Sequence, residues 1–195
     1  MEEQATPDTE NPGIGSFIWE LARVVIIAFV VMLAFRLFVA EPFIVSGSSM
    51  VPNFHNREYL IINKIGYRLH QPERGDVIVF KYPRDRSQYF IKRVIGLPGE
   101  KVKVADGRVT IYNAEHPDGQ LLDETFLPNQ GLTVGGEGLT SLGPDEYFVL
   151  GDNRQQSSDS RVWGVLPHDD IVGKVWLRVF PLGDFGIIKS PVLKF

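Results

Sequence analysis

From Val24 to Phe35 the chain reads VVIIAFVVMLAF, without one charged or hydrogen-bonding side chain on any face. A helix on the surface of a globular protein carries a polar stripe, and this one has none. Extended past Arg36 to Ala40 the run is 17 residues, roughly 25 Å at 1.5 Å per residue, and Phe17 to Arg23 can add a turn or two, enough to cross a bilayer. Arg36, a turn from the end, can lay its stem along the helix while its guanidinium reaches the headgroups. Trp19 and Phe17 suit the opposite interface. A cleavable signal peptide would need a basic flank and a small-x-small end. Here the flank carries Glu2, Glu3, Asp8 and Glu10, and the end reads Phe38-Val39-Ala40. A buried core helix would need a larger domain around it. The expectation is a single-pass anchor over 16–40, preceded by a disordered polar tail over 1–15. Arg23 alone precedes the span among acidic residues, so charge bias does not orient it.

The remainder, 41–195, is the size of one ordinary domain. A net charge of −4 and a pI near 5.6 leave no basic surface for nucleic acid. The absence of Cys excludes disulfide scaffolds, thiolate zinc sites and cysteine nucleophiles together. His55, His70, His116 and His168 are isolated in sequence, so no metal is expected. No phosphate-binding loop is present, Gly135-Gly136-Glu137-Gly138 reading as a turn, and no cofactor is expected. The segments EYLIIN, GDVIVF, YFIKRVIG, KVKVADGRVTIYN, EYFVLGD and IVGKVWLRVF alternate or run apolar between turn residues, which predicts an all-β domain of antiparallel sheets. Asp106-Gly107 between alternating segments predicts a two-residue hairpin. Residues 114–143, richer in Pro, Gly and acids, suggest a peripheral subdomain with one hairpin. No helix beyond the anchor is expected.

Three stretches are more polar than connection requires. Ser46-Gly47-Ser48-Ser49-Met50-Val51-Pro52 is either a Ser/Gly turn or a serine nucleophile whose own backbone N–H groups form an oxyanion hole. In Tyr89 to Gly96, strand alternation puts Lys92 with Phe90 and Val94, and Arg93 with Ile91 and Ile95, so one cation lies among apolar groups. A lysine so placed is easier to deprotonate, because desolvation penalises its charged form. Gly151 to Arg161 (GDNRQQSSDSR) is either a polar loop with an internal Asp/Arg pair or a network that fixes geometry.

With these residues in hand, the chain resembles the type I signal peptidases, membrane-bound serine proteases of the Ser/Lys-dyad group. The blocks that carry the likeness are Ser49-Met50-x-Pro52, Gly75 to Phe80 (GDVIVF), Tyr89 to Glu100 (YFIKRVIGLPGE) and Gly151 to Gly164 (GDNRQQSSDSRVWG). The resemblance implies Ser49 as nucleophile, since it immediately precedes Met50, and Lys92 as general base, with Ser48 and Ser46 not nucleophilic. Ser157 matches the serine that hydrogen-bonds the lysine nitrogen, and Asp159 matches an acid that supports the site. An acid touching Lys92 would keep it protonated, so Asp159 is expected to pair with Arg93 or Arg161. Two positions depart from the family. Asn53-Phe54 stands where Thr-Leu usually follows the proline, and Gly47 stands where many members carry an oxyanion-hole serine. The latter is as in the Gram-positive and related bacterial variant, and it leaves a backbone N–H near Gly47 as the candidate second donor.

The resemblance further implies signal-peptide-bearing preproteins as substrates, cleaved after small-x-small sites. It places the protein in the bacterial plasma membrane, N-terminus cytoplasmic and catalytic domain extracytoplasmic. Phe43, Val45, Met50, Phe90 and Ile91 flank Ser49 and Lys92 on the two proposed strands and are assigned to the substrate pockets, with the peptide extended beside Phe43 to Ser46. The alternative in another class is a membrane-anchored β module that binds peptides without cleaving them. A self-cleaving repressor of the related Ser/Lys group would need a DNA-binding segment where this chain has an apolar span.

Overall fold

A computed structural model describes residues 14–127, 133–136, 138–191 and 193. The expected polar tail falls almost entirely on 1–13, outside the described residues. The chain divides into two units, Met1–Phe38 and Val39–Phe195.

The first unit holds helix α1, Ile14–Phe38. Its apolar side chains do not form a buried face of their own unit: Phe17, Trp19, Val24, Ile27, Phe29 and Val31 are all more than half exposed. Among the described residues it is the one helix long and apolar enough to cross a membrane. The cation Arg36 lies in its last turn, where the partial negative charge of the helix C-terminus favours it.

The second unit is a β structure. Its strands are β1 Ala40–Ile44, β2 Tyr59–Asn63, β3 Val77–Tyr82, β4 Asp85–Gly96, β5 Lys101–Ala105, β6 Arg108–Tyr112, β7 Gln120–Leu121, β8 Gly138–Ser141, β9 Glu146–Leu150, β10 Leu166–Pro167, β11 Ile171–Phe180 and β12 Gly186–Ile187. One sheet runs β1-β2-β11-β3-β4-β9-β10 with β12 beside β11, and a smaller one runs β7-β6-β5-β8. Every pairing is antiparallel.

The sequence patterns explain which strands lie where. β3 is a continuous apolar run because both its faces are covered. Val77 and Val79 join one core with Met50, Phe54, Leu60 and Ile62, while Ile78 and Phe80 join another with Val94, Tyr147 and Val149. β5 and β6 alternate because only one face is covered: Val102, Val104, Val109 and Ile111 are buried while Lys101 and Lys103 are exposed. The hairpin between them turns at Asp106 (φ 51°) and Gly107 (φ 75°), with Ala105 paired to Arg108, the two left-handed residues that a type I′ turn requires.

The segment 114–143 makes no hairpin among its described residues. β7 pairs with β6 and β8 with β5, so the segment adds a strand to each edge of the small sheet. Two short helices were also unforeseen, α2 Gly66–Leu69 and α3 Ser160–Trp163. At four residues each they are too short to show a period of 3.6. α3 forms because Asp159 caps it, its carboxylate accepting from Arg161 N–H.

The two sheets meet at Gly96. A β-carbon there would approach Val102 Cγ2 to 2.4 Å, Leu142 Cδ1 to 2.8 Å and Phe148 Cβ to 2.9 Å. Gly96→Ala should therefore lower stability by about 1–3 kcal/mol, the usual cost of overpacking, read as a lower urea midpoint for the detergent-solubilised chain.

Candidate active site

The loop after β1, residues 45–58, is pinned from several directions. Val45 N–H donates to Glu58 O and Arg57 N–H to Val45 O, closing its ends. Gly47, at φ 98°, lies in the left-handed region that glycine tolerates, and its N–H donates to Asn56 Oδ1 at 3.1 Å. Met50 and Phe54 are sunk in the core at 1% and 2% exposure, so the residue preceding Met50 is held at the surface of a fixed anchor. That residue is Ser49, half-buried. From β11, Arg178 donates to Asn53 O at 2.5 Å and lies 5.1 Å from the Phe54 ring centroid. Phe54 thus fills the core in place of a leucine, and Asn53 binds the site's polar network.

Strand β4 brings Lys92 to the serine: Nζ lies 2.8 Å from Ser49 Oγ and donates to Ile91 O at 2.9 Å. Alternation called for one cation among apolar groups. In fact Lys92 and Arg93 are both 4% exposed, and they meet desolvation in opposite ways. Arg93 is neutralised by Asp152, with Nε to Oδ1 at 2.8 Å and Nη2 to Oδ2 at 2.6 Å; its Nη1 donates to Gly75 O at 2.8 Å. Among the described residues Lys92 has no carboxylate partner, and its Nζ lies 5.3 Å from the Phe90 ring centroid. Burial therefore lowers its pKa from the ordinary lysine value of 10.5 to about 8, against the weaker opposing pull of the Asp159 and Asp152 charges.

The stretch Gly151 to Arg161 closes the site from the side of β9. Asp159 is fully buried and accepts from Gly151 N–H at 3.0 Å, Arg161 Nε at 2.8 Å and Arg161 Nη2 at 2.7 Å. Of its two expected partners it takes Arg161, because Arg93 is taken by Asp152. Asp152 also accepts from Asn53 Nδ2 at 2.9 Å. Ser157 departs from expectation: its Oγ is buried without a hydrogen-bond partner among the described residues, while Lys92 Nζ bonds Ser49 and Ile91. A β-carbon on Gly151 would meet Ser157 Oγ at 2.2 Å and Ser49 O at 2.5 Å, so Gly151 is what lets this loop approach the serine. The Gly47 N–H itself is committed to Asn56, so a second oxyanion donor near Gly47 would have to be another N–H.

A cavity of about 570 Å³ lies over Ser49 and Lys92 and includes Phe43, Val45, Phe90 and Ile91 in its wall, together with Tyr89 and Gln156. Met50, also assigned to the pockets, is absent from that wall because its side chain fills the core beneath. Asp152, Asn56 and Arg178 are the site residues that sequence reasoning missed. Asp152 stood inside a quoted block without a role, whereas nothing in the pattern of β11 distinguishes Arg178 from a solvent-facing arginine. No cluster of three or more metal-ligating side chains occurs among the described residues.

Comparison with known proteins decides the family. Residues 18–180 match the model of a family described as signal peptidase, peptidase S26. The chain belongs to the signal peptidase family. It is 37% identical to a probable signal peptidase I-1 of Synechocystis sp. over 92% of this chain and 91% of that one. It is 36% identical to a signal peptidase I of Leptolyngbya laminosa, over 96% and 92% respectively. To signal peptidase IB of Staphylococcus aureus it is 33% identical, over 85% of this chain and 91% of that one. As a member of the signal peptidase family it is a serine endopeptidase.

Two stability predictions follow from the cations. Asp152→Ala leaves Arg93 buried without its counter-ion and should cost about 3–5 kcal/mol, measured by urea unfolding. Lys92 behaves oppositely. Its folded-state pKa lies below the unfolded value, so protonated Lys92 disfavours the folded state at every pH below about 8, and that penalty fades between about 8 and 10.5. Lys92→Met should raise the melting temperature at pH 7, with the gain shrinking as pH rises through that window.

Proposed function

We propose that this chain removes signal peptides from exported preproteins, cutting after small-x-small sites by a Ser49/Lys92 dyad through an acyl-enzyme. The observation that carries the proposal is the 2.8 Å separation of Lys92 Nζ and Ser49 Oγ, with the amine desolvated and bonded to no carboxylate among the described residues.

Neutral Lys92 takes the Ser49 proton as Oγ attacks the scissile carbonyl, and Ser49 N–H stabilises the oxyanion. The resulting ammonium gives its proton to the departing amine nitrogen, which leaves as the new N-terminus of the mature protein. Lys92 then deprotonates a water molecule that attacks the acyl carbonyl, and the protonated amine returns its proton to Ser49 Oγ. Asp159 with Arg161, like Asp152 with Arg93, keeps the nearby acids engaged elsewhere. The substrate lies extended beside Phe43 to Ser46, its small side chains entering the space bounded by Phe43, Val45, Phe90 and Ile91. Helix α1 anchors the enzyme in the bacterial plasma membrane by a single pass, with the N-terminus cytoplasmic and the β domain outside, where a signal peptide's cleavage site emerges.

Incubation of the detergent-solubilised chain with a small-x-small preprotein tests this reading. Ser49→Ala, Lys92→Ala and Lys92→Arg should each abolish the mature product, the last because a guanidinium stays protonated. Ser48→Ala and His55→Ala should retain most of it. If Ser48 proves essential and Ser49 does not, the assignment of the nucleophile is wrong. Because the reactive form is the neutral amine, kcat/KM should rise about tenfold per pH unit below a midpoint near 8 and level off above it. A profile that is flat from pH 6 to 10 would remove Lys92 from the role of base.

A further inference from the structure

Asn153 makes an unusual pair of contacts with the serine loop. Its backbone N–H donates to Ser49 O at 3.0 Å, and its side-chain Nδ2 donates to Ser48 O at 3.1 Å. One residue therefore binds two successive carbonyls. Because Ser48 O can only accept, the amide nitrogen, not the amide oxygen, must face it.

The second contact bears on chemistry through the peptide unit it holds. The Ser48 carbonyl and the Ser49 N–H belong to the same peptide plane, which is trans, the cis bonds of the described chain being Val51-Pro52 and Phe180-Pro181. In a trans plane the C=O and N–H point in opposite directions. Fixing Ser48 O toward Asn153 therefore fixes Ser49 N–H on the other side. That N–H has no hydrogen-bond partner among the described residues, while the neighbouring Gly47 N–H is committed to Asn56 Oδ1. Rotation of the 48–49 plane would turn the free donor away and present a carbonyl oxygen to the developing negative charge. Within the loop Val51 N–H also donates to Ser48 O, at 3.2 Å, and Asn153 Nδ2 adds the restraint that reaches the same carbonyl from outside the loop.

We infer that Asn153 is a positioning residue for the oxyanion donor: its side-chain amide sets the orientation of the Ser48–Ser49 peptide and thereby aims Ser49 N–H at the transition state. The inference rests on the Ser49/Lys92 reading and adds to it a residue that touches neither the substrate nor the reacting atoms. The hydrogen bond to Ser48 O also polarises the plane, making the N–H a stronger donor.

Asn153→Ala and Asn153→Asp test it in the detergent-solubilised full chain with a small-x-small preprotein. Both retain the backbone N–H to Ser49 O, and the aspartate keeps the size of the side chain, so it reports even if the alanine variant folds poorly. Each should lower kcat by about 10- to 100-fold, the scale of an ångström-sized misplacement, the aspartate more because its carboxylate repels Ser48 O. For Asn153→Ala, KM should stay within twofold and the pH midpoint of kcat/KM within about 0.3 units, since neither the pocket nor the amine is touched; the aspartate, a new carboxylate near Lys92, should move its own midpoint upward. Inhibition by a peptide aldehyde of small-x-small sequence, whose serine adduct carries the same oxyanion, should weaken by the same factor as kcat/KM. Binding of the preprotein to the Ser49→Ala protein should not change when Asn153→Ala is added. A kcat and an aldehyde affinity within twofold of the parent would overturn the inference, as would a loss in Asn153→Ala expressed in KM or in a displaced pH midpoint. Parent-like Asn153 variants beside an inactive Ser49→Ala protein would refute this inference alone, whereas an active Ser49→Ala protein would refute the dyad on which it rests.

Discussion

A primary amine kept out of water, and out of contact with any carboxylate of the described residues, is the condition on which the site depends. In bulk solvent an amine at pH 7 is protonated more than a thousand to one, a form that cannot accept a proton from serine. Burial within β4, against Phe90, shifts that balance by penalising the charged form. The same 2.8 Å contact that makes the transfer possible would be unproductive beside an acid, because the ion pair would restore the proton.

The ion pairs around the site serve that condition. Asp152 and Asp159 are both close enough to raise the lysine's pKa, and each is occupied by a bidentate guanidinium, Arg93 in one case and Arg161 in the other. A guanidinium suits this task because it offers parallel donors and does not deprotonate. Buried pairs of this kind bring little net stability, since desolvation offsets attraction, but losing either member is costly. Their value here is positional: Asp152 also holds Asn53 and Asp159 also holds Gly151 N–H, so the groups that contain negative charge are the groups that fix the serine loop and the loop opposite it.

Much of this was legible in the residues. The β3 run and the alternation of β5 and β6 announced how many faces each strand buries, and Asp106-Gly107 announced its turn. Lys92 stood out because a cation interrupted an apolar strand, and Ser49 stood out once the neighbouring blocks identified the family. What could not be read was pairing across long separations. Arg93 choosing Asp152, 59 positions away, is a fact of register between β4 and β9, and the hydrogen bond from Arg178 to Asn53 spans 125 positions. The fate of Met50 was misjudged because sequence proximity to the nucleophile does not say which way a side chain points. The expected Ser157 bond was carried by resemblance alone, and here the lysine bonds Ser49 and Ile91 instead. The 114–143 excursion was misread because strands of two and four residues carry no alternation to detect.

The most direct test of the account is the titration of a single amine. With the full chain in detergent and its lysine ε-positions labelled for NMR, Lys92, assigned by comparison with Lys92→Met, should titrate with a midpoint near 8, below the remaining lysines. A midpoint at the ordinary lysine value would mean that the amine is solvated or ion-paired, and the proposed chemistry would lose its base.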